Sequence, residues 1–121
     1  MTTSDGLKDR TKHFALAVIR LCRGLPHSQE GTIITRQLLR SSTSVGANYR
    51  AVCRARSNAD FVSKLGIVLE EADETLFWLE LLIDSGVAQL ETTAPLLKEA
   101  NELVSIFVAS LRTAKGLKSA I

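Results

Sequence analysis

Apolar residues recur along the chain at steps of three and four, the repeat of a helix that buries one face. In the first such segment, about residues 7–24, Phe14, Val18, Leu21 and Leu25 fall within about 40° of Leu7 at 100° per residue. Gly24 and Pro26 end it, because glycine suits a helix C-terminus and proline cannot continue the hydrogen-bond ladder. The second segment, about 29–56, has its stripe at Ile34, Leu38, Val45, Tyr49 and Val52. Its middle, residues 41–47, is built from serine, threonine, glycine and alanine around Val45, a poor helix former by propensity. The stripe predicts a continuous helix there, with small side chains admitting a close neighbour; the alternative is a break into two short helices.

The third segment, about 58–84, opens on a capping box with Ser57 as N-cap and Asp60 reaching back. Phe61, Leu65, Val68, Leu69, Ala72, Leu76, Leu79 and Ile83 form its apolar face, and Gly86 is placed for a left-handed cap. The fourth, about 94–114, starts near Thr92 or Thr93 with Pro95 in its first turn, and carries Leu96, Leu97, Ala100, Leu103, Val104, Phe107 and Leu111. The tail after Gly116 is expected to fray. No useful stretch alternates with period two. Four helices with short connections predict an all-α, antiparallel up-down-up-down bundle in a single domain over residues 1–121.

Composition narrows the chemistry more than the fold. With 121 residues, 45% hydrophobic and 23% charged, the chain has the makeup of an ordinary globular domain. Charged residues interrupt every apolar run well short of the ~20 residues of a membrane span, so no membrane partner is expected. The opening residues lack the basic-then-apolar layout of a secretory signal, and a cytoplasmic location is expected. Cys22 and Cys53 are the only thiols. In an antiparallel pair of helices they lie roughly 33 Å apart along the axis, which predicts two reduced thiols. Neither His13 nor His27 follows a glutamate by three residues, so the Glu-x-x-His element of carboxylate-bridged metal bundles is missing. There is no phosphate-cradling glycine loop and no nucleophile elbow either. No enzyme, metal or cofactor is expected.

Charge is unevenly placed. Residues 1–64 hold 11 Lys and Arg against 4 Asp and Glu, net +7, whereas residues 65–121 hold 4 against 9, net −5. On the second helix Arg36, Arg40, Arg50 and Arg54 lie within about 40° of one direction and span about 30 Å. Planar, always-ionised guanidinium groups suit phosphate oxygens, and such a row can follow the backbone of structured RNA or DNA. The alternative is a scaffold in which carboxylates of the same or another subunit occupy the row. Only Tyr49 among the aromatics lies near, on the apolar side, so base stacking is not expected here.

The third helix is apolar on more than one side. Ile67, Trp78, Leu81 and Leu82 lie off the main stripe among acidic residues that include Glu71 and Glu74, the composition of a subunit interface. The alternative is that Trp78 fills the flank of its own bundle. An acidic patch here can also receive the arginine row of another copy, a head-to-tail contact that closes into a ring.

The run from Gln37 to Ala51, with Arg40, the small residues that follow, Val45 and Asn48, resembles the family of four-helix-bundle proteins encoded in 23S rRNA intervening sequences. The stretch from Ser57 through Asp60-Phe61, Lys64-Leu65, Leu69-Glu70-Glu71-Ala72 and Trp78 to Leu82 resembles that family's third helix. With the first helix, the likeness covers about residues 7–110. Many members carry an acidic residue shortly after the asparagine, where this chain reads Asn48-Tyr49-Arg50-Ala51. The resemblance implies a ring-like homo-oligomer, a homopentamer of antiparallel bundles, without enzymatic activity. The accessory variability protein of diversity-generating retroelements is similar in fold, and its likeness implies nucleic-acid binding.

Overall fold

In the computed structural model, which describes residues 3–116, four helices follow one another: α1 (Ser4–Arg23), α2 (Gln29–Val52), α3 (Asn58–Asp84) and α4 (Leu90–Ala114). Each connection is five residues long, too short for anything but an antiparallel neighbour. Each helix touches the next, and α4 closes back on α1 through the loosest of the four seams; the tightest joins α2 to α3. This is the up-down-up-down bundle the periodicity predicts, without strands among the described residues. The tail expected to fray lies outside those residues.

Side chains set most of the helix starts. The oxygens of Thr3, Ser28 and Ser57 accept the N–H groups of Gly6, Gly31 and Asp60, each at 3.0 Å, satisfying donors that a first turn leaves orphaned. Asp60 does reach back, but to the Arg56 N–H at 3.1 Å rather than to its own N-cap. The helix α4 begins earlier than proline preference predicts. The Thr92 and Thr93 hydroxyls both donate to the Gln89 carbonyl, which anchors a turn before Pro95, so the proline sits sixth in the helix. The helix α2 ends earlier than its pattern, at Val52. Arg54 and Ala55 bond back three residues, to Ala51 and Val52, and tighten the chain into the turn that holds Arg54. Gly86 takes φ +80°, the left-handed conformation expected of it.

The core runs along all four helices through Val18, Leu38, Val45, Val68, Leu79 and Phe107, each 0% exposed. Tyr49 lies against Phe107 with ring centroids 5.8 Å apart. The small-residue middle of α2 is unbroken helix. Ser41 and Ser42 are fully buried, and a Cβ on Gly46 would come within 3.3 Å of the Thr11 hydroxyl on α1. At the same level on the α3 side, the Thr75 hydroxyl donates to Ser41 at 2.9 Å, and Ser41 donates to the Leu38 carbonyl at 3.3 Å. No buried side-chain nitrogen or oxygen among the described residues lacks a partner, so these hydroxyls cost little in the interior.

Truncation of Phe107 to alanine removes the largest fully buried side chain and leaves a cavity between α2 and α4. A loss of about 3–5 kcal/mol is expected, read as a lower denaturant midpoint with an unchanged slope.

Candidate functional site

The four arginines expected to form one row do not: Arg36, Arg40 and Arg50 lie on α2, and Arg54 lies in the turn after it. At 100° per residue Arg40 leans about 40° to one side of Arg36, and Arg50 leans about 40° to the other. That divergence sends them to different neighbours. Arg40 reaches α3, where its guanidinium bonds both oxygens of Glu71, at 3.2 and 3.1 Å, and pairs closely with Glu74. Arg36, Arg50 and Arg54 are exposed, and among the described residues their guanidinium groups have no carboxylate or hydrogen-bond partner.

Arg50 and Arg54 instead meet α1. Together with Lys8 and Lys12 they edge a groove of about 480 Å³ between α1 and α2. Its floor is made of small residues, among them Thr11, Ala15, Gly46, Ala47 and Ala51, because that is where the two helices approach closely. No carboxylate lines it. The nearest anionic contact to a groove cation is a loose one, 3.8 Å from Lys8 to the exposed Asp5. Four cations therefore face one trough that no carboxylate lines, an arrangement whose local potential favours an anion. Lys8 and Lys12 were missed as site residues. Their spacing of four put them on one face of α1, but only the pairing of Thr11 with Gly46 shows that this face borders α2.

Arg36 stands apart, roughly 27 Å along the helix axis from Arg54. It edges a smaller hollow of about 290 Å³ with His27, Thr35, Leu39 and Cys22. Both cysteines are unbridged, and burial pushes the Cys22 thiol up to about 11, so it is protonated at neutral pH.

The outer flank of α3 carries the second set of predicted residues. Trp78 is half-buried; one side packs on the core while its indole N–H donates to Glu74 at 2.9 Å. Phe77 meets it edge-on, with centroids 4.9 Å apart, and is 53% exposed; Ile67 is 46% exposed. Leu81 is half-buried against the core. Leu82 is not on this flank. It lies seven and fourteen residues after Thr75 and Val68, on the stripe they share, and is fully buried in the bundle's own core. Glu71 and Glu74, expected to await another copy's arginines, are engaged by Arg40 of the same chain. Phe77 was missed; its place beside Trp78, opposite the stripe, was the available signal.

Among the described residues no three His, Cys, Asp or Glu gather to hold a metal, and no helix is long and apolar enough to cross a membrane. What the fold presents is a four-helix bundle with one cationic seam and one exposed aromatic flank. Residues 7–109 match the model of the 23S rRNA-intervening sequence protein family, and the chain belongs to that family. It is similar to a crystal structure of a protein of unknown function from the S23 ribosomal protein family of Bacteroides thetaiotaomicron, with 36% sequence identity and a TM-score of 0.80. That alignment covers 87% of this chain and 97% of the other. No curated protein matches the chain.

The network on α3 can be followed optically, since Trp78 is the only tryptophan. Its hydrogen bond, and then that of Arg40, hold the Glu74 carboxyl below its ordinary value of 4.5. A carboxylate depressed in the folded state contributes stability above its unfolded pKa and loses it as pH falls through the folded one. Trp78 emission is expected to stay constant from neutral pH down to 4.5 and to change only below it, at constant far-UV ellipticity. Glu74→Gln should flatten that transition; a midpoint at or above 4.5 contradicts the network.

Proposed function

We propose that this chain is a non-enzymatic binding module that holds the backbone of structured RNA or DNA in the groove between α1 and α2, and that copies of it associate through the outer flank of α3. The observation that carries the binding reading is the set of four cations, Lys8, Lys12, Arg50 and Arg54, around a trough without a carboxylate. Neutralising phosphates releases the counterions condensed on a nucleic acid, so binding of this kind is electrostatic and indifferent to sequence. The two guanidinium groups add forked hydrogen bonds to phosphate oxygens. Arg40 takes a different part and braces α2 against α3; Arg36 lies outside the groove lining.

A scaffold with the whole arginine row Arg36, Arg40, Arg50 and Arg54 tied to carboxylates has support, within that row, at Arg40. Self-association rests on Phe77 and Ile67, large apolar side chains left in water beside half-buried Trp78, and the ring of five implied by the family likeness is the expected assembly. In such an assembly one groove per subunit repeats around the ring.

Binding of RNA or DNA measured from 50 to 200 mM salt should give a log–log slope of about −3 to −4, for roughly four phosphates neutralised per groove. The double reversal Lys12→Glu with Arg50→Glu should abolish it, whereas Arg40→Gln should leave it nearly unchanged. Absence of binding at low salt overturns this reading. Light scattering should return a multiple of the 13.2 kDa chain, reduced by Phe77→Glu; a monomeric parent protein overturns the assembly.

A further inference from the structure

The groove does not stop at the end of α2. A second hollow of about 400 Å³ sits at the turn into α3, lined by Arg54, Arg56 and Lys64, and it shares Arg54 and Ala51 with the first. Its one carboxylate, Asp60, is already committed: it accepts from Lys64 at 2.8 Å and from the Arg56 backbone N–H at 3.1 Å. Arg54 thus joins two cationic hollows into one channel that leaves the bundle at the α2–α3 turn.

The channel offers no aromatic ring on which a base can stack. Phe14, Tyr49 and Phe107 are buried in the core, Phe61 packs on it, and Phe77 and Trp78 lie on the outer flank of α3. With these the chain's Phe, Tyr and Trp rings are all accounted for, and neither they nor His13 and His27 line either hollow. Proteins that hold single strands combine a basic track with aromatic platforms on which unpaired bases stack. Here only the track is present. A paired helix, whose bases already stack on one another, loses nothing by lying on such a surface, and its two strands crowd more phosphate into the same length.

We infer that the occupant of this channel is the sugar–phosphate edge of a double helix rather than a single strand. The inference rests on the groove being a nucleic-acid site, and it specifies which kind. Each phosphate neutralised on a duplex releases more counterion than one on a single strand, ~0.9 against ~0.7. Over four to six contacts at about 50 mM salt, that difference amounts to roughly tenfold or more in affinity.

The test is anisotropy with a labelled 20-base-pair duplex and each of its separated, non-self-pairing strands at 50 mM salt, using the full chain in its native assembly. The duplex is expected to bind about tenfold tighter than either strand, and a second duplex of unrelated sequence to bind within about twofold of the first. Arg54→Glu, on an exposed turn, should weaken the duplex by at least tenfold at unchanged helical ellipticity. Strands that bind as tightly as the duplex overturn this inference and leave the groove a nucleic-acid site. So does an Arg54→Glu variant with undiminished duplex affinity. Failure of duplex and strands alike overturns the reading beneath it.

Discussion

The close approach of α1 and α3 to the small-residue middle of α2 is the contact on which the other features depend. Gly46 leaves room for the Thr11 hydroxyl, and Ser41 is buried where it meets Thr75. A larger side chain at either position separates the helices, since well-packed interiors accommodate extra volume poorly. Because α1 comes this near, Lys8 and Lys12 stand across a narrow trough from Arg50 and Arg54. Because α3 comes this near on the other side, Arg40 spans the seam to Glu71 and Glu74. Weak local helix propensity in this stretch is thus offset by tertiary contact on two sides, and each buried hydroxyl is satisfied by a carbonyl or by another hydroxyl.

Bundle order turns the charge asymmetry of the chain into a pattern of seams. Helices α1 and α2 come from the basic half and lie side by side; most of α3 and all of α4 come from the acidic half. The mixed seams are closed by ion pairs: Arg40 to Glu71 and Glu74 between α2 and α3, and Arg10 to Glu99 and Glu102 between α1 and α4. The Arg10 pair is bidentate toward Glu99, both bonds at 2.7 Å, and it raises the already high pKa of the guanidinium further. The groove between α1 and α2 has no carboxylate in its lining. Its positive charge follows from topology as much as from any single residue.

The fold was readable from the sequence because helical periodicity and capping residues are local signals. Gly86 and the Ser57 cap fell where they were expected. The start of α4 and the end of α2 did not, since both depend on hydrogen bonds that periodicity does not encode. The site was only half readable. Arg50 and Arg54 stood out within one helix, but their partners Lys8 and Lys12 lie on another, and a helical wheel has no term for a neighbour. The same limit grouped Arg40 with the free arginines. A lean of about 40° to either side is small on the wheel, yet it decides whether a side chain faces an acidic helix or a basic one. For α3, a single amphipathic stripe placed Leu82 outside the core, whereas a helix packed against two neighbours buries a wider arc, and Leu82 falls within it.

Four like charges held around one trough repel one another, and a chain under selection for stability alone has simple remedies, such as a glutamate in place of Ala15 or Ala47 at the groove floor. The mixed seams show that this protein does use carboxylates to close helix contacts. Where a sequence follows a rule at two seams and leaves a third lined by cations without a carboxylate, the compensation is expected from outside. The floor of small residues points the same way. It keeps the trough open between its cations, so that an anion can approach all four without displacing a side chain, and the rigid helices on either side mean that little order has to be acquired on binding.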